Sequence, residues 1–177
     1  MTDGRADRRA AEILERALSR THGTVTEFLE TTTGEAVDAQ LIVQTASVAT
    51  DRNLLDVAAG HPLVSRQAIL RGRTSARAYL YAETLLVPDR LPPAVTRTLA
   101  TTTDPIGRVL AARGISVSRT LLGAPRRSPG VAAVGPDRCR DAAIYARRYR
   151  IESGAAIVML IDEWFLPDLR DAVLRTG

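Results

Sequence analysis

At residue 37 the hydrophobic period of this chain changes from that of a helix to that of a strand, and the helical period does not alternate back in after each strand. Before that point Ala6, Ala10, Ile13, Leu14, Ala17 and Leu18 recur at helical spacing over residues 5–20. Thr24-Val25-Thr26-Glu27 is a capping-box pattern that opens a second, short helix, which Gly34 can end. From Val37 onward, Val37, Ala39, Leu41 and Val43 alternate with Asp38, Gln40 and Gln44 as in a half-buried strand. Further strands are expected at 64–72 and 77–87 around a Gly72-Arg73-Thr74-Ser75 turn, then at 115–122, 142–151 and 156–164. Short helices are inserted after Pro92 and after Asp104-Pro105, where Asp104 would cap and Pro105 would hold the first helical position. A last helix starts near Asp168. Helices first, then mostly antiparallel strands, define an α+β fold rather than a doubly wound sheet.

At 177 residues the chain is expected to form one domain, spanning 1–177, with a core large enough to need no disulfide or metal staple. One Cys and two His can build neither a four-cysteine zinc site nor a two-cysteine, two-histidine finger, and loop histidines are more often merely exposed than metal ligands, so no metal is expected. Cys139 lies between two arginines but has no partner motif, and reads as a spectator thiol; His22 and His61 adjoin glycines, as loop residues do. No signal-like start is visible, and the longest apolar run, Ala155 to Ile161, is far too short to span a bilayer, so a cytoplasmic protein without membrane attachment is expected. All 24 basic residues are Arg, and residues 104–150 hold 10 of them against 3 acids. Such a field attracts anions. Only seven aromatic residues are present, too few to favour stacking on single-stranded nucleic acid, and Tyr79, Tyr81, Tyr145 and Tyr149 read as core or sheet-face residues. The stretch Gly123–Pro136 reads as a basic loop and the most mobile segment.

Strand alternation puts three charges on apolar faces. Arg66 shares a face with Val64, Ala68 and Leu70; Arg119 with Ile115, Val117 and Leu121; Glu163 with Ile157, Met159 and Ile161. A buried charge without a partner is costly. Either these residues pair with one another or reach water at strand ends, or they face a cavity in which arginines hold a carboxylate by forked hydrogen bonds.

Four segments in order, Gly23–Glu30, Ser65–Leu70 running on to Tyr81–Pro92, Asp104–Leu110, and Arg147–Ile151 through Glu163–Pro167, are similar to the chorismate pyruvate-lyase family. The resemblance implies a six-stranded antiparallel sheet flanked by helices around an internal ligand cavity. It implies conversion of chorismate to 4-hydroxybenzoate and pyruvate without metal or organic cofactor. Arg66 would bind the ring carboxylate, with backbone amides of Val25 and Ile106 completing that site. Glu163, in an apolar setting, would meet the product's hydroxyl or act on the ether oxygen. Arg66 and Glu163 are thereby the catalytic candidates; Arg119 joins them from its strand position as a second carboxylate clamp. Glu83 stands near a segment where relatives carry Arg, and His22 where they often carry an acid, departures that bear on substrate identity. The alternative is a diverged member of the fold that acts on, or senses, another small anionic metabolite.

Overall fold

The computed structural model describes residues 4–21, 23–51, 53–125 and 142–176. His22, Cys139 and residues 126–136 of the expected basic loop lie outside them. Six strands form one antiparallel sheet in the order β1-β2-β3-β6-β5-β4. They are β1 (Val37–Val48), β2 (Pro62–Gly72), β3 (Ala78–Leu86), β4 (Ser118–Gly123), β5 (Tyr145–Ser153) and β6 (Ala156–Phe165). The helices are α1 (Gly4–Arg20), α2 (Val25–Thr33), α3 (Pro93–Thr101), α4 (Ile106–Ala112) and α5 (Arg170–Thr176). Among the described residues no helix is long and apolar enough to cross a membrane.

Local chemistry accounts for the boundaries near the site. The Thr24 hydroxyl accepts from the Glu27 amide while the Glu27 carboxylate accepts from the Thr24 amide, so the capping box is closed at both ends. Gly34 ends α2 in the left-handed conformation at φ 75°, and donates its N–H to the Glu30 carbonyl. Asp104 and Pro105 behave differently from expectation. Pro105 is itself the N-cap of α4, with extended backbone and no side-chain cap, which leaves Asp104 in the approach. The strand expected from 115 begins at Ser118, because Ile115 and Val117 pack against the core from the turn that leaves α4, and the one expected from 142 begins at Tyr145.

One face of the sheet carries two apolar clusters with a gap between them. At one end α1, α2 and α5 bury Leu14, Leu29 and Val173 against Leu70, Leu80 and Phe165. At the other, α3 and α4 bury Val95, Leu99 and Leu110 against Leu86, Met159 and Ile161. Between them the sheet presents alanine: Ala68 of β2 lies opposite Ala82 of β3, and Ala82 opposite Glu163 of β6. Large side chains at both ends hold the helices off a floor of small ones in the middle. On the reverse face the connection after β1 packs Leu55 against Leu63, Val87 and Leu160.

Candidate active site

The gap is a cavity of about 380 Å³, floored by Ala68, Ala82 and Thr84 and roofed by the starts of α2 and α4. Arg66 and Glu163 both open onto it, 2% and 1% exposed. Strand spacing and rise put their Cα atoms about 12 Å apart, so they stand at two ends of one chamber.

At the first end, Arg66 is held by neutral acceptors. Its Nη1 donates to the Gln44 side-chain oxygen (2.8 Å) and to the Leu99 carbonyl (2.9 Å), and its Nη2 to the Asp104 carbonyl (3.1 Å). The Leu99 carbonyl sits in the last turn of α3, where a helix leaves its carbonyls without partners. The guanidinium therefore ties the α3–α4 connection to the sheet. Among the described residues no carboxylate pairs with Arg66, and two of its five N–H groups are uncommitted. Burial pushes it below its ordinary value, and the charge of Asp104 offsets only part of that.

Gln44 reaches Arg66 through a break in register. Leu41 pairs with Ala68 and Val43 with Gln67, so Ile42 is an inserted residue and the alternation of β1 reverses there. Strict alternation had put Gln44 with the outward residues; the bulge turns it onto the cavity face and leaves Ile42 and Val43 exposed instead.

Val25 and Ile106 are the first residues of α2 and α4, where backbone N–H groups have no intrahelical acceptor. Both line the cavity. The two helix starts can approach because residue 107 is glycine: a Cβ there would lie 2.8 Å from Cγ2 of Thr24, itself fixed as a cap.

At the second end the surroundings are ionic rather than apolar, contrary to expectation for Glu163. Its Oε2 accepts from Arg147 Nε and its Oε1 from the Tyr149 hydroxyl, each at 2.7 Å. Arg66 and Glu163 thus do not pair with each other. Arg147 lies directly opposite Glu163 on β5, and Tyr149 two residues on. Burial opposes the Arg147 cation, but the Glu163 charge and hydrogen bond outweigh it and raise the group; burial and that same charge push the Tyr149 phenol well above its usual range. Neither residue was singled out as a site candidate in the sequence. The signal was present, since Arg147 alternates with Tyr145, Tyr149 and Ile151 just as Arg66 does with its apolar neighbours.

Arg119 pairs in register with Ile151, lines the cavity and is exposed, so it stands at the mouth rather than within. Leu121 shares its face but is 61% exposed at the sheet edge. Glu83 is on the reverse face, paired in register with Asp162 and accepting from the Tyr81 hydroxyl. It does not line the cavity.

A helix-roofed chamber over a six-stranded antiparallel sheet, with a buried guanidinium that no carboxylate pairs with among the described residues, defines an α+β protein with an internal cavity of small-molecule size. No family model matches the sequence. The chain is 34% identical over 168 residues, 89% of its length and 82% of the relative's, to the chorismate pyruvate-lyase of Mycobacterium tuberculosis (strain ATCC 25618 / H37Rv). It is 29% identical over 177 residues, covering 85% and 73%, to the chorismate pyruvate-lyase of Mycobacterium leprae (strain TN). The chain belongs to the chorismate pyruvate-lyase family. Among solved structures it resembles the effector domain of PhnF from Mycobacterium smegmatis (TM-score 0.55, 15% identity, covering 82% of this chain and 90% of that one). It also resembles PhnF itself (TM-score 0.53, 16% identity, 84% and 66%). At such identities the likeness is one of fold.

Proposed function

We propose that this protein is a chorismate lyase that releases 4-hydroxybenzoate and pyruvate, and that Arg66, Glu163, Arg119 and the amides of Val25 and Ile106 form its site. The observation that carries the reading is Arg66. A cation buried to this degree costs several kcal/mol unless compensated; its hydrogen bonds go to neutral oxygens, and the charge of Asp104 offsets only part of that cost. A carboxylate in the cavity supplies the missing charge through forked hydrogen bonds. The Val25 and Ile106 amides complete that cradle, and Glu163 accepts from the ring hydroxyl at the far end. Arg119, at the mouth, meets the second carboxylate, on the enolpyruvyl arm.

The chemistry balances without an external reagent. The ether C–O bond to the ring breaks, the hydrogen of the neighbouring hydroxyl-bearing carbon moves to the enolpyruvyl methylene carbon, and the ring becomes aromatic. No electrons enter or leave overall, so no metal or organic cofactor is called for. The protein's contribution is to hold the dianion in one pose, exclude water and offer fixed charges where charge develops. We place this activity in the cytoplasm and in one domain spanning 1–177, with a small anion as partner and neither nucleic acid nor membrane.

The test is direct: incubate purified protein with chorismate, with no metal or nucleotide added, and follow the products by chromatography. Equimolar 4-hydroxybenzoate and pyruvate are expected. Intact chorismate would overturn the reading in favour of a diverged member of the fold that acts on or senses another small anion.

A further inference from the structure

We propose that Arg147 and Tyr149 are positioning residues that fix Glu163 as an acceptor, so that the chamber selects a ring carrying a hydrogen-bond donor at the end remote from its carboxylate. The inference rests on the reading of the cavity as an anionic-ring site and adds two residues to it. An ionised carboxylate accepts and cannot donate; of its four or so lone-pair directions, Arg147 and Tyr149 take one on each oxygen. Tyr149 lines the cavity beside Glu163, and its hydroxyl hydrogen is spent on the carboxylate. Glu163 lines the cavity, and its remaining lone pairs ask for a donor, a hydroxyl or an amine. A second carboxylate or a keto oxygen would meet repulsion there.

Arg147 acts from behind. It is absent from the cavity wall, its side chain is 12% exposed, and its guanidinium lies 4.9 Å from the Tyr149 ring centre and 5.7 Å from that of Phe165. Sandwiched by rings and bonded through Nε, it allows Glu163 little choice of rotamer. The charged and titratable groups facing this end are Arg147 and Tyr149 of β5, with Tyr145 beyond Arg147, and Arg119 of β4; Arg66 of β2 is at the other end, with Glu27 and Asp104 in the roof. From β3, Leu80, Ala82 and Thr84 line the cavity, none of them charged.

The test is calorimetric binding of 4-hydroxybenzoate and of benzoate, which share the carboxylate and differ only at the remote end. The wild type is expected to favour 4-hydroxybenzoate tenfold or more, the loss expected when a charged acceptor goes unmet. Tyr149→Phe, which removes a single oxygen, should cut that preference several-fold and leave benzoate affinity unchanged. Arg147→Gln should cut it further, and Arg147→Lys should restore part. Equal losses for both ligands, with the preference intact, would make the pair merely structural and overturn the proposal; should the Arg147 variants fail to fold, Tyr149→Phe decides alone. A wild type that binds neither ligand would sink the anionic-ring reading itself, whereas one that binds both equally would refute the proposed role of the remote end and leave Arg66 standing.

Discussion

Arg66 and Glu163 lie on the same face of one sheet and are almost equally buried, yet one has neutral partners and the other an ion pair. At the Glu163 end the charge is balanced by Arg147 and the carboxylate is oriented by Tyr149. The Arg66 end is incomplete, with a guanidinium tied down by carbonyls and an amide and two N–H groups left over. A buried charge that is already paired serves geometry, and a buried charge that is not waits for its partner. The difference makes the two residues respond in opposite ways when each is altered.

The largest effect is expected at Arg66. Arg66→Ala should reduce turnover at least 100-fold and weaken binding together, since it removes the anchor from ground state and transition state alike. It should also abolish thermal stabilisation by 4-hydroxybenzoate, which in the wild type is about 2.7 kcal/mol at a hundred times Kd. A melting curve with and without ligand separates this from unfolding. Retained ligand stabilisation in the variant would remove Arg66 from the site.

Glu163→Gln comes next and should invert the pattern. Turnover should fall about 100-fold with little change in KM, while the protein without ligand loses about 3 kcal/mol, because Arg147 is left as a buried cation without its counter-charge. Denaturant titration of the two variants compares them directly. If Arg66→Ala proved the more destabilising of the two in the absence of ligand, the contrast between a waiting charge and a paired one would be broken.

How much of this could be read from the sequence follows the regularity of each strand. Arg66 and Glu163 sit in unbroken alternation, so the set of residues each faces with is legible in the sequence, although the strand of Glu163 is apolar on both faces. Gln44 was not, because a single inserted residue in β1 reverses parity and no local signal near Ile42 announces it. Arg147 and Tyr149 were obscured by Arg148 and Arg150, which make β5 polar on both faces. Those two are explained by pairing on other surfaces: Arg148 forms a forked bond to Asp162 on the reverse face, and Arg150 meets Glu152. The order of helices and strands was legible because caps and glycines punctuate it. The cavity is expected from misplaced charge and from the family resemblance; that it lies over alanines depends on cross-strand register, which alternation within one strand does not contain.

A smaller effect is expected at the roof. Gly107→Ala forces a methyl group against Thr24, and Thr24 cannot yield without breaking the cap that starts α2. The two helix starts should move apart by a few tenths of an ångström, loosening the amides of Val25 and Ile106 while leaving Arg66 and Glu163 in place. KM should rise about tenfold with kcat nearly intact, within the range lost with one or two modest hydrogen bonds. A fall in kcat without a rise in KM would place the two amides outside the carboxylate cradle.

The smallest effect tests the comparison from outside the cavity. Glu35, like Arg66, is a charge served only by neutral groups: the Thr74 and Ser75 amides, the Ser75 hydroxyl and the Tyr79 hydroxyl. Unlike Arg66 it lies at the surface, clamping the β2–β3 turn, and those hydrogen bonds hold its carboxyl at about 2 against an ordinary 4.5. A value lower in the folded state means that the carboxylate favours folding fully above pH 4.5 and loses that contribution as the pH falls towards 2. Glu35→Gln should lower Tm by a few degrees at neutral pH, the two curves should converge between pH 4.5 and 2, and turnover of chorismate at neutral pH should not change. Melting temperatures across that window, paired with a single activity measurement, check both halves. Because water can solvate Glu35 and cannot reach Arg66 equally, neutral partners suffice for the first, whereas for the second they leave a burial cost that the charge of Asp104 offsets only in part.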